Sequence, residues 1–361
     1  MTVLRYLFLL LITLTGSIIL VLSWWHPGFA VWYGTYIFPI FPHIMGRFFN
    51  LFPFSVFEII FVLGSLFLVF GFVFIIINLF TTRGRIRLTS HAKSTSISLL
   101  YILSSAFLIF VLTAGVNYSR ESYSYHTNIT VKESSTEELI QLYLMLVERA
   151  EILATQINTD DYGHFLLQKD GLHDDAIQSM QYLNNLYGGL VSFFPRAKAP
   201  MLSRLFLSNL NIGGFFSPWT MEAHYNGDMP GQSIPFVINH ELAHFAGHMR
   251  EDEANFIGYL ASINSPNIDF QYSAVYTALS YTLNAMRRSL SRERYQELFS
   301  LLPQQLVRDF AFARSYWQAF EGPAAELQTR VNDAYLRLNQ QEDGVQSYGR
   351  MVDLLLAYYR N

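Results

Sequence analysis

Residues 234–255 read IPFVINHELAHFAGHMREDEAN, and this stretch decides how the water-facing part of the chain is built. His240 and His244 stand one helical turn apart on one face, so both imidazoles can hold a single Zn²⁺ while Glu241 reaches water bound there. A catalytic zinc needs a third protein ligand and one open position. Three candidates follow within nine residues: His248, Glu251 and Glu253. On an unbroken helix Glu251 would lie roughly 10 Å from His244, too far to share a metal. Gly247 offers the left-handed conformation that ends a helix, so the chain can turn at 247–250 and bring a second helix back with Glu251 in its first turn. Asn255, four residues on, would then face the same way and could orient a ligand. Glu253 is rotated about 200° from Glu251. His248 fits only if the first helix runs on.

Working outward, the periodicity after residue 119 is overwhelmingly helical. Ser135-Thr136-Glu137-Glu138 is a capping box opening a helix to about residue 157. Further helices are expected at about 172–187, 233–248, 251–263, 269–289, 291–301, 303–319, 322–340 and 346–359, with Gly and Pro at the joints. Only 190–227 has strand character, giving a small sheet or an irregular lid. The fold class is mainly α: three transmembrane helices, then a mostly helical extracytoplasmic domain with a small strand-containing segment.

Three uncharged runs, 6–25, 59–80 and 94–118, are each long enough to cross about 30 Å of hydrocarbon. The first ends in Trp24-Trp25 without a small-residue cleavage pattern, so it reads as an uncleaved anchor. Arg83, Arg85, Arg87 and Lys93 crowd the loop 81–93, which the positive-inside rule makes cytoplasmic. Everything after about residue 119 then emerges on the outer face of the membrane, dividing the chain into a membrane domain, 1–118, and an extracytoplasmic domain, 119–361. The nearly uncharged loop 26–55 is expected on the outer surface as a hairpin or short helices, either packed as a connector or guiding a membrane-proximal substrate. The His-Glu motif is far from every span and is followed by Arg250, Glu251, Asp252 and Glu253, which argues against an intramembrane site.

Composition agrees with this division. The 361 residues are 51% hydrophobic and 14% charged, too apolar for an ordinary soluble chain. The net charge of −4 is uneven: residues 1–118 hold six basic groups and one acid, leaving 18 basic and 27 acidic groups to the rest. An acidic outer part without a basic tract argues against nucleic acid as a partner. The absence of Cys removes disulfides, thiolate metal sites and Cys nucleophiles.

The block His-Glu-Leu-Ala-His, Gly247 and Arg250-Glu251-Asp252-Glu253-Ala254-Asn255-Phe256 resembles the zinc-metallopeptidase-like signature of a bacterial membrane-protein family known as domain of unknown function 3810. The resemblance extends to Pro53-Phe54-Ser55, to residues 218–223 (PWTMEA) and to residues 341–349 (QEDGVQSYG), and so covers most of the chain. Glu251-x-x-Ala254-Asn255 is also similar to the element supplying the third ligand in gluzincin peptidases, which favours Glu251. Asn255 replaces the usual Asp there. The His244–Glu251 spacing is nearer that of metzincins, whose third His would fall at Arg250.

The resemblance implies a membrane-anchored zinc metallopeptidase acting on a peptide or protein, with His240, His244 and Glu251 on the metal and Glu241 as general base. A second donor must stabilise the oxyanion. Tyr348, His224 and Tyr225 are the candidates, with Glu222 and Asn226 as further polar neighbours. The alternative is a catalytically silent zinc-binding envelope module with a structural or partner-binding role. A third reading, in which the two His only pack a helix face, has no metal.

Overall fold

The computed structural model describes residues 2–360. Fifteen α-helices are assigned among them. The membrane region holds α1 (Thr2–Trp25), α2 (Pro27–Tyr36), α3 (Arg47–Asn50), α4 (Val56–Leu79) and α5 (Thr82–Thr113). Then come α6 (Tyr123–His126), α7 (Thr136–Ala154), α8 (Leu172–Tyr187) and the strands β1 (Gly214–Ser217) and β2 (Glu222–Tyr225). The rest is α9 (Ile234–Phe245), α10 (Glu251–Ile263), α11 (Ile268–Ser289), α12 (Arg292–Phe299), α13 (Gln304–Gln318), α14 (Pro323–Leu338) and α15 (Met351–Tyr359).

Three helices are long and apolar enough to cross a membrane, within 5–25, 56–79 and 82–119. α4 exposes large side chains such as Phe67, Phe70 and Phe72 along its length, as a helix meant for lipid does. α1 packs along α5, where the Thr13 hydroxyl donates to Ser104 Oγ at 3.0 Å and Gly16 lies against Phe107.

The expected loop 81–93 is corrected. Thr81 caps α5 by accepting from the Gly84 amide, so the basic residues lie on the first turns of a 32-residue helix rather than on a loop. Such a helix is about 48 Å long, more than the hydrocarbon needs, and its charged turns extend beyond it. Its C-terminal end also comes early: 115–119 is a 3₁₀ turn rather than a continuation of the span. Residues 26–55 form short helices, α2, a π-helical turn (Pro42–Gly46) and α3. They support the end of α9: a Cβ on Gly46 would lie 2.7 Å from the Phe245 ring, so helix and ring meet closely.

One hydrophobic core joins both sequence regions, running from Tyr33, Phe38 and Val111 through Leu146, Phe245, Phe256 and Phe270 to Leu355. At its centre lies α10, buried at every position. It folds back antiparallel along α9 and is flanked by α8, α11 and α15. The capping box at Ser135 and Glu138 forms as expected, and the helix it opens ends at Ala154. The region 190–227 yields a two-stranded antiparallel hairpin pairing Gly214 with Tyr225 and Phe215 with His224. Lys198 adds a bridge on the far side of β2.

Candidate metal centre

α9 ends at Phe245, three residues sooner than periodicity suggests. The His248 amide donates to the Ala243 carbonyl and the Gly247 amide to His244, with Gly247 at φ +90°. This is the Schellman pattern, and it satisfies the last carbonyls of α9 while turning the chain. A side chain at Gly247 would also meet the Phe38 ring at 2.7 Å. After that turn α10 starts at Glu251, with Asp252 and Glu253 beside it, placing three carboxylates at the positive end of a helix.

The result selects one of the three candidate ligands. Glu251 Oε2 lies 3.3 Å from His240 Nε2 and 3.5 Å from His244 Nε2. The donor atoms of His240, His244 and Glu251 all fall within 4.8 Å of one another, and all three residues are buried. His248 and Glu253 pair with each other instead, Nδ1 to Oε2 at 3.7 Å, and His248 Nε2 donates to the Gly189 carbonyl at 3.1 Å. Half-buried Arg250 borders this pair, its Nε 3.8 Å from Glu253 Oε1, and it holds Asp252 more closely at 2.9 Å.

A metal ion fits this arrangement. Two ligands at about 2.1 Å from a tetrahedral ion stand about 3.4 Å apart, which matches the observed spacings. Glu251 Oε2 is buried without a hydrogen-bond partner, an expensive condition that a cation would relieve. His244 Nδ1 donates to the His248 carbonyl at 2.8 Å, which leaves the Nε2 lone pair facing the other donors.

The charges are mutually tuned. Burial works to raise the Glu251 carboxyl, but the positive charge of His244 and the nearby imidazoles hold it down to about 2. Burial works to lower His244, and the Glu251 carboxylate outweighs it, lifting the imidazole to about 9. Burial lowers His240. Glu241 is raised to about 8, by burial first and then by the negative charge of Glu251.

These residues line a cleft of about 750 Å³. One wall is β1 with Gly213 and Gly214, and the opposite wall is α14 with Gln328, Asn332 and Tyr335. Tyr348 lines it too, as expected from sequence, and its hydroxyl is raised well above the usual range by burial and by Glu251. Asn255 donates to the Tyr348 carbonyl at 3.2 Å and to the Tyr281 hydroxyl at 3.4 Å, tying down the cleft wall, and its side chain also acts on the His240 imidazole.

His224 and Tyr225 are not in the cleft lining. His224 is fully buried on the other side of the hairpin, stacked on Phe215 at 4.3 Å between centroids and 2.8 Å from Ser55 Oγ. The Tyr225 ring packs at 5.9 Å from His173. Glu222 accepts from Lys198 Nζ at 2.6 Å and from the Val56 and Phe57 amides, anchoring the start of α4 to β2. Asn226 donates to Ser208 Oγ and the Ile212 carbonyl, a structural role.

Sequence reasoning did not single out Tyr118, Tyr281 and Tyr335. All three line the cleft, and the Glu251 charge raises each hydroxyl beyond the effect of burial, to about 12 for Tyr281 and Tyr335. The Tyr118 hydroxyl donates to Tyr335 at 2.8 Å. No local motif marks them, because they come from three distant segments.

The fold and site together define a membrane-associated, mainly helical protein with a buried His-His-Glu group able to hold a metal ion. The chain belongs to the family described as protein of unknown function DUF3810, which it matches over residues 33–356. No curated protein and no solved structure matches it.

Proposed function

We propose that the chain is a membrane-anchored zinc peptidase acting on peptide or protein substrates at the extracytoplasmic face of a bacterial cytoplasmic membrane. The observation that carries the reading is the convergence of His240, His244 and Glu251 within 4.8 Å, in the wall of a cleft that also holds Glu241. Zinc suits the mixed imidazole and carboxylate donor set, and when bound it supplies a Lewis acid that activates water and polarises a carbonyl. Glu241, buried in the cleft wall beside the three candidate ligands, is the base this reading assigns. In this reading it accepts the proton of the attacking water and delivers it to the leaving amine. Tyr348, its hydroxyl kept protonated, is the donor assigned to the developing oxyanion. The charges at Arg83, Arg85, Arg87 and Lys93, at the end of α5 away from the cleft, support the outward orientation.

The test is metal content by ICP-MS on detergent-purified protein, together with cleavage of a peptide library. About one zinc per chain is expected in the wild type and none in His240→Ala or Glu251→Ala. Glu241→Gln should keep the metal and lose about 10²- to 10⁴-fold in rate. A Glu241→Gln variant that cleaves as well as wild type overturns the reading. Zinc with no hydrolysis of any peptide leaves the catalytically silent metal-binding module.

A further inference from the structure

The walls of the cleft reach down to the membrane-crossing helices. The apolar stretch 59–79 of α4 covers about 31 Å, the thickness of the hydrocarbon core, so Phe61 belongs to its outermost turn. Phe206, from the loop before β1, packs edge-on against Phe61 at 5.7 Å. The turn of the β1–β2 hairpin reaches both α4 and α5. The Trp219 indole donates to the Ala106 carbonyl at 3.1 Å and stacks on Phe57 at 6.2 Å. Ala106 lies seven residues before the end of α5, about 10 Å along the helix from where the chain leaves it.

The opposite wall is seated in the same way. On α14, Gln328, Asn332 and Tyr335 face the cleft, and the Tyr335 ring packs on Phe110 of α5 at 6.4 Å. A neighbouring stripe of the same helix, Leu327, Val331 and Leu338, is exposed at 63%, 60% and 78%. Between the two walls Ala114 and Tyr118, the residues that follow α5, line the cleft itself. Met201 and Leu205 continue the exposed apolar rim at 79% and 60%, and the Met201 amide is tied to Glu58 in the first turn of α4. Exposed apolar surface of this extent, adjoining the membrane-crossing helices α4 and α5, belongs in the interface of the bilayer.

We infer that the cleft opens at the lipid–water boundary and that its substrates are polypeptides anchored in the same bilayer, cut in the stretch next to their own anchor. The word substrate rests on the peptidase reading above. Anchoring two partners in one membrane replaces a bulk encounter by a local one, which raises the effective concentration without any new contact.

The absence of native Cys makes the seating directly measurable with single spin labels. In proteoliposomes, labels at Leu205→Cys and Val331→Cys should be relaxed more by oxygen than by a water-soluble nickel complex. A label at Tyr162→Cys, 82% exposed and outside the rim, should show the reverse. Water-like behaviour at both rim positions overturns the inference. The substrate class is tested with a randomised peptide library offered in two forms, free and fused to a Leu-Ala transmembrane helix, co-reconstituted with zinc-loaded wild type and with Glu241→Gln. Cleavage of the anchored form about 10²-fold faster than the free form, and only by wild type, is the expected result. Equal rates overturn the inference and leave the peptidase reading intact. Cleavage of neither form overturns both.

Discussion

Glu241 stands against the bare backbone of Gly214: a Cβ at that glycine would lie 2.6 Å from Glu241 Oε1. It would also meet Val237 at 2.7 Å and the His224 carbonyl at 2.8 Å, so the carboxylate, helix α9 and strand β2 leave no room for any side chain. The hairpin thus approaches the Glu241 carboxylate closely. Gly214→Ala is expected to displace Glu241 or the hairpin by a few tenths of an ångström to 1 Å, with the metal retained. Cleavage should fall about 10²-fold, the usual cost of a misplaced catalytic group. Metal content and cleavage rate measured on the same preparation check this.

Choice of the third ligand has its own test. Glu251→Ala should abolish metal binding, whereas Glu253→Ala should retain about one ion per chain, because Glu253 is paired with His248 and Arg250. Glu253→Ala takes a partner from buried His248 while Arg250 keeps Asp252 at 2.9 Å, and should cost about 1–3 kcal/mol of stability. ICP-MS and thermal melting of the two variants separate a metal ligand from a structural carboxylate. Metal lost in both, or in Glu253→Ala alone, would reverse the assignment.

Lys198 and Glu222 form a buried ion pair at 2.6 Å, and Glu222 also accepts the amides of Val56 and Phe57. The pair therefore joins the hairpin behind the cleft to the first turn of α4. Lys198→Ala leaves Glu222 buried without a countercharge and is expected to cost about 3–5 kcal/mol. Lys198→Met/Glu222→Gln should lose less, since it removes both charges together. Melting temperatures in one detergent read the difference.

His224 gives a pH dependence remote from the metal centre. Burial lowers its pKa from the usual 6.5 to about 4, so the folded protein holds it neutral where the unfolded chain protonates it. Its contribution is fully present above about pH 6.5 and is lost as pH falls toward 4, because the unfolded state then binds more protons. The full effect is roughly 3 kcal/mol. A His224→Gln variant should show a flatter melting temperature between pH 7 and 4.5 than wild type. An equal slope in both would remove His224 as the cause.

Much of the fold is legible in the sequence because its signals are local. Apolar runs gave the three long helices, and the termini of α8 and α10 coincide with the periodic segments 172–187 and 251–263. His240 and His244 share a face by helical period alone, and Gly247 supplies the one backbone conformation that lets α10 return with Glu251 beside them. The error over 81–93 is also local in origin: positive charge marks the side of the membrane, yet a capped helix carries such charge as readily as a loop.

Other features had no local signal. His224 was a reasonable candidate by type, but strand alternation puts it on the face with Glu222, turned toward Ser55 and α4 and away from the cleft. Tyr118, Tyr281, Tyr335 and Tyr348 meet around Glu251 only after four segments far apart in sequence are packed together. The sequence by itself determined the membrane-crossing helices, the helical class and the metal-ligand pair, because each depends on neighbours within one or two turns. Only the tertiary structure decided which carboxylate completes the cluster and what lines the cleft, because those are distances between separately formed elements.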